Sequence, residues 1–349
     1  MINLKNLTLE EMKEFFLGIG EKPFRATQVY QWIYRGITKM EDMTDLSKDL
    51  REKLNKEAKL ESLKILQVQK SEKDGTRKYL FGLPDGQAIE SVFMEYKYGN
   101  SLCISSQAGC RMGCKFCAST VGGFVRNLTA GEMADQLISV ERDTGKRISH
   151  VVIMGVGEPL DNYKEVSRFL RMVNCETGLN LGMRNITLST CGVIPVIKEF
   201  SKDFPQVNLA ISLHSPTDEV REKMMPINGK YPLDELLIAC KAYTKDTGRR
   251  VTFEYALVKD VNDTKDQISI LAKRLRGILC HVNLIPLNEV TETGMEGSNR
   301  KKAEEIAAYL EKKGIPATVR REMGRDIAAA CGQLRMREEN QGNVGKETY

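Results

Sequence analysis

The first sixty residues of the chain carry hydrophobic side chains at helical spacing. Between residues 9 and 63, apolar positions recur three and four residues apart, with charged residues between them: Met12, Phe15, Phe16, Val29, Trp32, Ile33, Leu46, Leu50 and Leu54. This period places the apolar side chains along one face of each helix. The pattern therefore predicts a small helical domain at the start of the chain.

Two segments with strand-forming patterns follow, and a turn sequence separates them. Residues 78–83 and 87–94 flank Pro84, Asp85 and Gly86. These three residue types in succession are typical of a tight turn. We therefore predict a β-hairpin that completes an N-terminal accessory domain of residues 1–90, with the next domain starting near residue 95.

From residue 95 to residue 290, short β-branched runs alternate with longer helical runs. The predicted strands are 101–106, 150–154, 185–189, 208–213, 250–258 and 281–287, and the predicted helices are 129–144, 163–175, 193–200, 233–247 and 264–275. This alternation implies right-handed crossovers and a parallel sheet, and hence an α/β fold. A partial (β/α)6 barrel and an open doubly wound sheet both fit, with residues 291–349 as a C-terminal extension.

Chemically distinctive residues follow directly after these predicted strands. In parallel α/β folds the site lies beyond the carboxyl ends of the strands. Glycines there allow close approach of a ligand, a carboxylate can pair with an ammonium group, and short polar groups can hold ribose, carboxylate or adenine. Each residue alone could be an ordinary capping residue, but their repeated placement favours a binding site at Gly157, Glu158, Ser189, Ser212, Leu213, His214 and Asn288.

Three cysteines in one loop give the strongest chemical signal. Cys110, Cys114 and Cys117 have the spacing C-x3-C-x2-C, with no further Cys or His in the next thirty residues. A structural zinc ion needs four ligands, so that alternative requires Cys103 or a distant partner. A 4Fe-4S cluster held by three thiolates instead leaves one iron open to a cofactor. The spacing after a first strand favours the second alternative, which is typical of the radical S-adenosylmethionine (SAM) superfamily.

Composition narrows the class of protein further. No stretch of about 18 apolar residues exists to span a bilayer, and the first residues lack the layout of an export signal. We therefore expect a cytoplasmic protein, in which the nine cysteines are reduced rather than paired as a disulfide scaffold. The net charge of +5 permits binding to nucleic acid but does not establish it.

Six segments together resemble the RlmN/Cfr family of RNA methyltransferases. They cover nearly the whole chain: CISSQAGCRMGCKFCAST (103–120), RNLTAGE (126–132), GEPLDN (157–162), LSTCG (188–192), ISLH (211–214) and ACGQL (330–334). Segments 117–123, 157–159 and 285–288 look like the RlmN members, which methylate carbon 2 of an adenosine in 23S rRNA and, in several bacteria, of the adenosine 3′ of the tRNA anticodon.

The resemblance implies a fold, cofactors and partners for this chain. It implies a radical SAM partial barrel with one 4Fe-4S cluster at Cys110, Cys114 and Cys117, and two SAM molecules per turnover. The RNA partners would be 23S rRNA and tRNA, and a reductase of flavodoxin or ferredoxin type would donate electrons. The chain is expected to act as a monomer with no membrane partner.

The resemblance also implies three catalytic residues outside the cluster. Cys331 would carry the methyl group, Cys103 would resolve the protein–RNA adduct through a transient Cys103–Cys331 disulfide, and Glu90 would accept a proton. From the residues alone, a buried core cysteine is the commoner explanation of Cys331. Glu90 could likewise be a solvated strand carboxylate.

Two other classes of protein remain as alternatives. One is a radical SAM enzyme that acts on a protein or a small molecule, for which the pair Cys103 and Cys331 would be unnecessary. The other is a non-catalytic zinc-bearing RNA-binding protein that uses its helices and basic residues such as Arg321, Arg325, Arg335 and Arg337.

Overall fold

Helices dominate the N-terminal part of the chain, as their apolar spacing predicts. The structure is a computed structural model that describes residues 1–287, 294–329 and 332–334. Thr8 caps the first helix with Glu11 in a reciprocal capping box, and Pro23 opens the second. The elements are β1 (Ile2–Asn3), α1 (Leu9–Gly18), α2 (Pro23–Tyr34), α3 (Lys48–Glu57) and β2 (Ala58–Lys59). Their apolar faces form one cluster around Phe16, Val29 and Leu54.

Twelve further strands lie in the rest of the described chain. They are β3 (Lys64–Lys70), β4 (Arg77–Gly82), β5 (Ala88–Tyr96), β6 (Gly99–Ile104), β7 (Gln107–Gly109), β8 (Phe124–Asn127), β9 (His150–Ile153), β10 (Ile186–Thr190), β11 (Asn208–Ser212), β12 (Val251–Leu257), β13 (Cys280–Pro286) and β14 (Ala317–Val319). All but β7 and β8 join one ten-stranded sheet, and those two pair with each other.

Seven helices connect or flank the strands of this sheet. They are α4 (Ala130–Thr144), α5 (Tyr163–Asn174), α6 (Ile194–Asp203), α7 (Asp218–Met224), α8 (Leu233–Thr247), α9 (Lys265–Leu275) and α10 (Arg300–Lys312). Short 3-10 turns occur at Leu4–Asn6, Met40–Asp42, Ala118–Thr120, Met183–Asn185, Pro226–Gly229 and Arg325–Ile327. Among the described residues, no helix combines the length and the apolar composition that crossing a bilayer requires.

The strand order decides between the two predicted architectures. The ten strands lie in the order β3-β4-β5-β6-β9-β10-β11-β12-β13-β14, which is their order in the chain. An open doubly wound sheet reverses its strand order at a switch point, and this sheet does not. From β6 to β14 all pairs are parallel, so the predicted α/β partial barrel is confirmed.

Two features of the sheet extend the six predicted parallel strands. The predicted hairpin forms, because β4 pairs antiparallel with β5, but β5 also pairs with β6. The hairpin therefore lies in the same sheet as the barrel strands. At the opposite edge, β14 adds a seventh parallel strand from the C-terminal extension.

A buried ion pair joins the N-terminal helices to the barrel. The Lys5 ammonium contacts the Asp135 carboxylate on α4, and both side chains are almost fully buried. Asp135 also accepts a hydrogen bond of 2.6 Å from the backbone N–H of Leu63. Ile138, one turn further along α4, packs in the apolar cluster of the N-terminal helices.

Candidate active site

One pocket collects most of the residues that the sequence predicts for the site. It opens at the carboxyl ends of the parallel strands. Its volume is about 940 Å³, including the part of its mouth that is open to solvent. The predicted residues that line it are Cys110, Cys114, Cys117, Gly157, Glu158, Ser189, Ser212 and His214. We call it the cofactor pocket. Leu213 does not line it, because its side chain is in the core, and Asn288 lies outside the described residues.

Glycines and backbone hydrogen bonds shape the cysteine loop. Gly109 has φ +74°, and a Cβ there would meet the carbonyl oxygen of Gly123 at 1.9 Å. The N–H of Cys110 donates to that same carbonyl at 2.9 Å, which ties the start of the loop to its end. Gly113, between the first two cysteines, also has a left-handed φ of +71°, which glycine adopts without strain.

The three thiols fit an iron–sulfur cluster better than a zinc ion. Burial raises the pKa of Cys110 to about 12 and that of Cys114 well above its ordinary value, so these thiolates need a positively charged partner in the pocket. In the described part of the chain, no three His, Cys, Asp or Glu side chains are placed to hold a single metal ion. Cys110, Cys114 and Cys117 nevertheless face one cavity, which suits a larger cluster with one open iron.

Glu158 is a buried carboxylate held by backbone groups. Its Oε2 accepts from the N–H of Cys191 at 2.7 Å, and its Oε1 accepts from the N–H of Leu160 at 3.0 Å. Burial raises its pKa, although these hydrogen bonds oppose the shift. Gly157 before it has φ +110°, and a Cβ there would meet Gln107 at 2.6 Å. This fixed carboxylate can receive a ligand's ammonium group.

His214 is held as a neutral imidazole at the end of β11. Its Nδ1 accepts from the N–H of Ala256 at 2.9 Å, so the ring proton of the neutral form is on Nε2. Burial, assisted by the nearby charge of Arg221, lowers its pKa to about 3. The ring packs edge-on against Phe116, between the last two cysteines, at 4.7 Å between centroids.

Sequence reasoning missed two charged residues that the pocket depends on. Arg221 on α7 is completely buried and donates to the carbonyl oxygens of Cys191, Ser212 and Leu213. Glu254 is a buried carboxylate in the pocket wall. Its signal was a charge in the otherwise apolar β12 sequence, whereas nothing local distinguishes Arg221 from a solvated helix residue.

A second pocket contains Cys103 and adjoins the first. Val92 and Met94 line it with Cys103, and Met154, Ile285 and Arg320 line both pockets. Cys103 lies opposite Val92 on β5 and Val152 on β9. We call this the thiol pocket.

The residues on either side of Cys331 reach both pockets. Cys331 itself lies outside the described residues. Ala329, two residues before it, lines the thiol pocket, and Gly332, directly after it, lines the cofactor pocket. Cys103, Ala329 and Leu334 also belong to one small apolar cluster.

Glu90 is buried rather than solvated. It lies on β5 with only 2% of its surface exposed, on the same strand face as Val92 and Met94. Its carboxylate lies 3.5 Å from the ammonium of Lys78. The interpretation of Glu90 as a solvated strand carboxylate is therefore wrong.

Comparison with known proteins identifies the family. The ribosomal RNA large subunit methyltransferase N-terminal domain family matches residues 2–60, and the radical SAM superfamily matches residues 104–269. The Desulforamulus reducens protein named probable dual-specificity RNA methyltransferase RlmN is 51% identical over 340 residues, 97% of each chain. A Caldanaerobacter subterraneus protein of the same name is 52% identical over 343 residues, 98% of this chain and 100% of the relative.

A solved structure agrees with these sequence matches. The crystal structure of a radical SAM methyltransferase from Sphaerobacter thermophilus is 42% identical, with a TM-score of 0.92 over 96% of this chain and 99% of that chain. A radical SAM domain implies a 4Fe-4S cluster and SAM as cofactors. With relatives of this identity over nearly its whole length, the chain belongs to the RlmN family of radical SAM RNA methyltransferases.

Proposed function

We propose that this enzyme methylates carbon 2 of a specific adenosine in 23S rRNA and of the adenosine 3′ of the tRNA anticodon. The relatives' name, dual-specificity RNA methyltransferase, supports two RNA substrates. The observation that carries the proposal is the position of the chain around Cys331. Ala329 borders the thiol pocket and Gly332 borders the cofactor pocket, so the described residues that flank the proposed methyl carrier border both pockets.

Hydrogen bonds hold the chain after Cys331 against the cysteine loop. The N–H of Ala118 donates to the carbonyl of Gly332 at 2.8 Å, and Ser119 Oγ donates to the carbonyl of Leu334 at 2.8 Å. Both donors follow directly after the last cluster cysteine. Residues 332–334, which follow Cys331, are therefore hydrogen-bonded to the loop that would hold the cluster.

Carbon 2 of adenine requires radical chemistry, because it is electron-poor and has no acidic proton for a polar methylation. When bound, the cluster and two SAM molecules per turnover supply the methyl group and the radical chemistry, with electrons from a flavodoxin- or ferredoxin-type reductase. The chain's own residues divide the remaining work. Cys110, Cys114 and Cys117 would hold the cluster, while SAM would be held by Gly157, Glu158, Ser189, Ser212, His214 and Asn288.

Three residues handle sulfur and proton transfer in this proposal. Cys331 carries the methyl carbon, and the radical chemistry of the cofactors would join that carbon to carbon 2 as one hydrogen atom and one electron pass to them. Glu90 then accepts the proton that carbon 2 loses. The Cys103 thiolate then attacks the sulfur of Cys331, so that the bond between that sulfur and the methyl carbon breaks and a disulfide forms. The released carbon takes up a proton, and an external reductant returns both cysteines to thiols.

RNA would bind through the N-terminal helices and the basic C-terminal residues. Arg321 and Arg325 are described, while Arg335 and Arg337 lie outside the described residues. Contacts with phosphates would position the RNA, and the adenine would leave its stack to reach the pocket. Since both proposed RNAs are cytoplasmic, we infer that the enzyme works in the cytoplasm.

The decisive experiment maps 2-methyladenosine in RNA from a strain that lacks the gene. Mass spectrometry of 23S rRNA and tRNA fragments should show loss of the modification from both RNAs. The wild-type gene should restore it, and the matched Cys331→Ala gene should not. Persistence of the modification in the deletion strain, or its restoration by Cys331→Ala, would refute the proposal.

A further inference from the structure

A hairpin of the sheet holds the segment that leads to Cys331. We call residues 324–329 the carrier loop. Asp326 in this loop accepts from Ser71 Oγ at 2.8 Å and from the N–H of Glu72 at 3.1 Å. In the other direction, the N–H of Gly324 donates to Asp74 at 2.9 Å. The turn between β3 and β4 therefore fixes the start of the carrier loop.

The backbone of the carrier loop has little freedom to move away from this hairpin. Gly324 has φ +61°, and a Cβ there would lie 2.8 Å from both Thr76 and Ala329. Ala328 also has a left-handed φ of +48°, a conformation that is unfavourable for a residue with a side chain. Contacts that hold the loop in place must offset this cost.

Lys78 makes such a contact and a second one at the same atom. Its Nζ lies 3.2 Å from the carbonyl oxygen of Ala328 and 3.5 Å from Oε1 of Glu90. Its side chain is only 5% exposed. One buried ammonium therefore contacts both the proposed proton acceptor and the carrier loop, three residues before Cys331.

The register of the sheet places Cys103 on the same face. Lys78 lies opposite Val92, and Val92 lies opposite Cys103. Directly opposed residues in neighbouring strands project to the same side of a sheet. Lys78, Glu90 and Cys103 thus occupy one face of three adjacent strands, with the carrier loop packed over it.

We propose that Lys78 is a positioning residue for methyl transfer, an inference that rests on the proposed function. Its ammonium holds the carrier loop over the strand face that presents Glu90 and Cys103. Burying a charge is costly, and an apolar side chain would stabilise a core position better. Lys78 is not among the residues that line the cofactor pocket, so its effect falls on the transfer step and not on cofactor binding.

The test compares Lys78→Met, Lys78→Gln and Lys78→Arg in the full-length enzyme with its cluster assembled. The substrate is a 23S rRNA transcript, and the product is 2-methyladenosine measured by mass spectrometry. Methionine matches the length of the lysine stem, glutamine keeps a donor without charge, and arginine keeps the charge. Iron content and SAM affinity show whether each variant is folded.

We expect kcat to fall about tenfold to hundredfold for Lys78→Met and Lys78→Gln, while KM for RNA, iron content and SAM affinity stay within about twofold of wild type. Lys78→Arg should recover a large part of kcat. In a Glu90→Gln background, Lys78→Met should have a smaller effect than in wild type, because the two residues act together.

Two results would overturn the inference. One is a kcat for Lys78→Met and Lys78→Gln within about twofold of wild type. The other is an equal effect of Lys78→Met with and without Glu90→Gln, combined with no recovery by Lys78→Arg, which would mark a purely structural lysine. Failure of the wild-type enzyme itself to form 2-methyladenosine would instead refute the proposed function, and with it the role of Lys78.

Discussion

His214 illustrates how burial sets the charge of a residue in the cofactor pocket. With its pKa lowered to about 3, the imidazole is neutral at physiological pH and cannot repel the positive sulfonium of SAM. Its left-handed backbone, with φ +55°, turns the chain at the end of β11. Asparagine tolerates this conformation and can place an acceptor where Nδ1 lies.

His214→Asn should reduce the dependence of stability on pH. Between pH 6.5 and about 3, the unfolded chain binds a proton on His214 that the folded protein does not. Folding stability is therefore lost as the pH falls through this range, by roughly 2 kcal/mol at pH 5. Urea unfolding of the cluster-free protein at pH 7.5 and pH 5 measures the loss, which should be smaller in the variant. An equal loss in both proteins would contradict the assignment.

Replacing Cys103 and replacing Cys331 should stop the reaction at different steps. Cys103→Ala keeps the proposed carrier but removes the thiol that resolves the adduct, so protein should accumulate on RNA through Cys331. Cys331→Ala should form neither methylated protein nor adduct. A denaturing gel with labelled RNA detects the adduct.

Cys280→Ala is the matched control for these cysteine variants. Cys280 is buried on β13 and lines neither pocket, so its loss should leave turnover intact without any trapped species. Normal turnover of Cys103→Ala would show that the chain does not use a second cysteine.

At the scale of elements, the buried Arg221 ties α7 to the ends of two strands. Its guanidinium donates to the carbonyl of Cys191 after β10 and to those of Ser212 and Leu213 at the end of β11. It also donates to Asn228 at 2.9 Å. These bonds fix the spacing between two strand ends that border the cofactor pocket.

Arg221→Met should destabilise the fold and weaken SAM binding together. Several buried carbonyl groups would lose their donor, at a cost of about 3 kcal/mol. The control Arg300→Met removes an exposed helical ion pair with Glu304 and should change stability by less than about 0.5 kcal/mol. Denaturant unfolding and equilibrium SAM binding measure both effects. If Arg221→Met is destabilised but binds SAM with unchanged affinity, the hydrogen bonds of Arg221 do not shape the cofactor pocket.

Some strands of the sheet could be predicted from the sequence and others could not. Strands β9 to β13 were predictable because each is a short, largely apolar run between amphipathic helices. β3 was missed because Lys64, Gln67 and Lys70 make an edge strand half polar, and β14 has only three residues. Pairing with a neighbour, rather than local propensity, decides whether such segments become strands.

For the site, residues at strand ends were predictable because topology alone brings them together. Arg221 and Lys78 were not, since each acquires its place only when distant segments pack, whereas the charge of Glu254 in the otherwise apolar β12 sequence was a signal that was missed. Leu213 shows the opposite error. It lies between two polar residues at a strand end, yet strand alternation turns its side chain into the core.

At the scale of the molecule, the pair of Lys5 and Asp135 couples the N-terminal helices to the barrel. Burial lowers the pKa of Lys5, while Asp135 opposes that shift. Ser62, just after the N-terminal helices, accepts a hydrogen bond from the same ammonium at 2.8 Å. The pair therefore lies where three parts of the chain meet.

Lys5→Met should cost about 3–5 kcal/mol, because it leaves the Asp135 carboxylate buried without its cation. Asp135→Leu added to this variant should recover part of the loss, because no unpaired charge then remains, although the buried N–H of Leu63 loses its acceptor. Thermal unfolding of the two single variants and the double variant gives the coupling free energy between the two side chains. If the loss of stability in the double variant equals the sum of the losses in the two single variants, the ion pair does not couple the N-terminal helices to the barrel.

The strand order of the sheet has a consequence for how the enzyme is made. Because every strand of the ten-stranded sheet lies beside its predecessor in the sheet, a nascent chain can add each new strand to one that has already left the ribosome. The contact between Gly324 and Asp74 instead spans 250 residues and must wait for the end of translation. A prematurely terminated chain would thus hold a nearly complete barrel without the proposed methyl carrier, and on that proposal would be unable to begin chemistry on RNA.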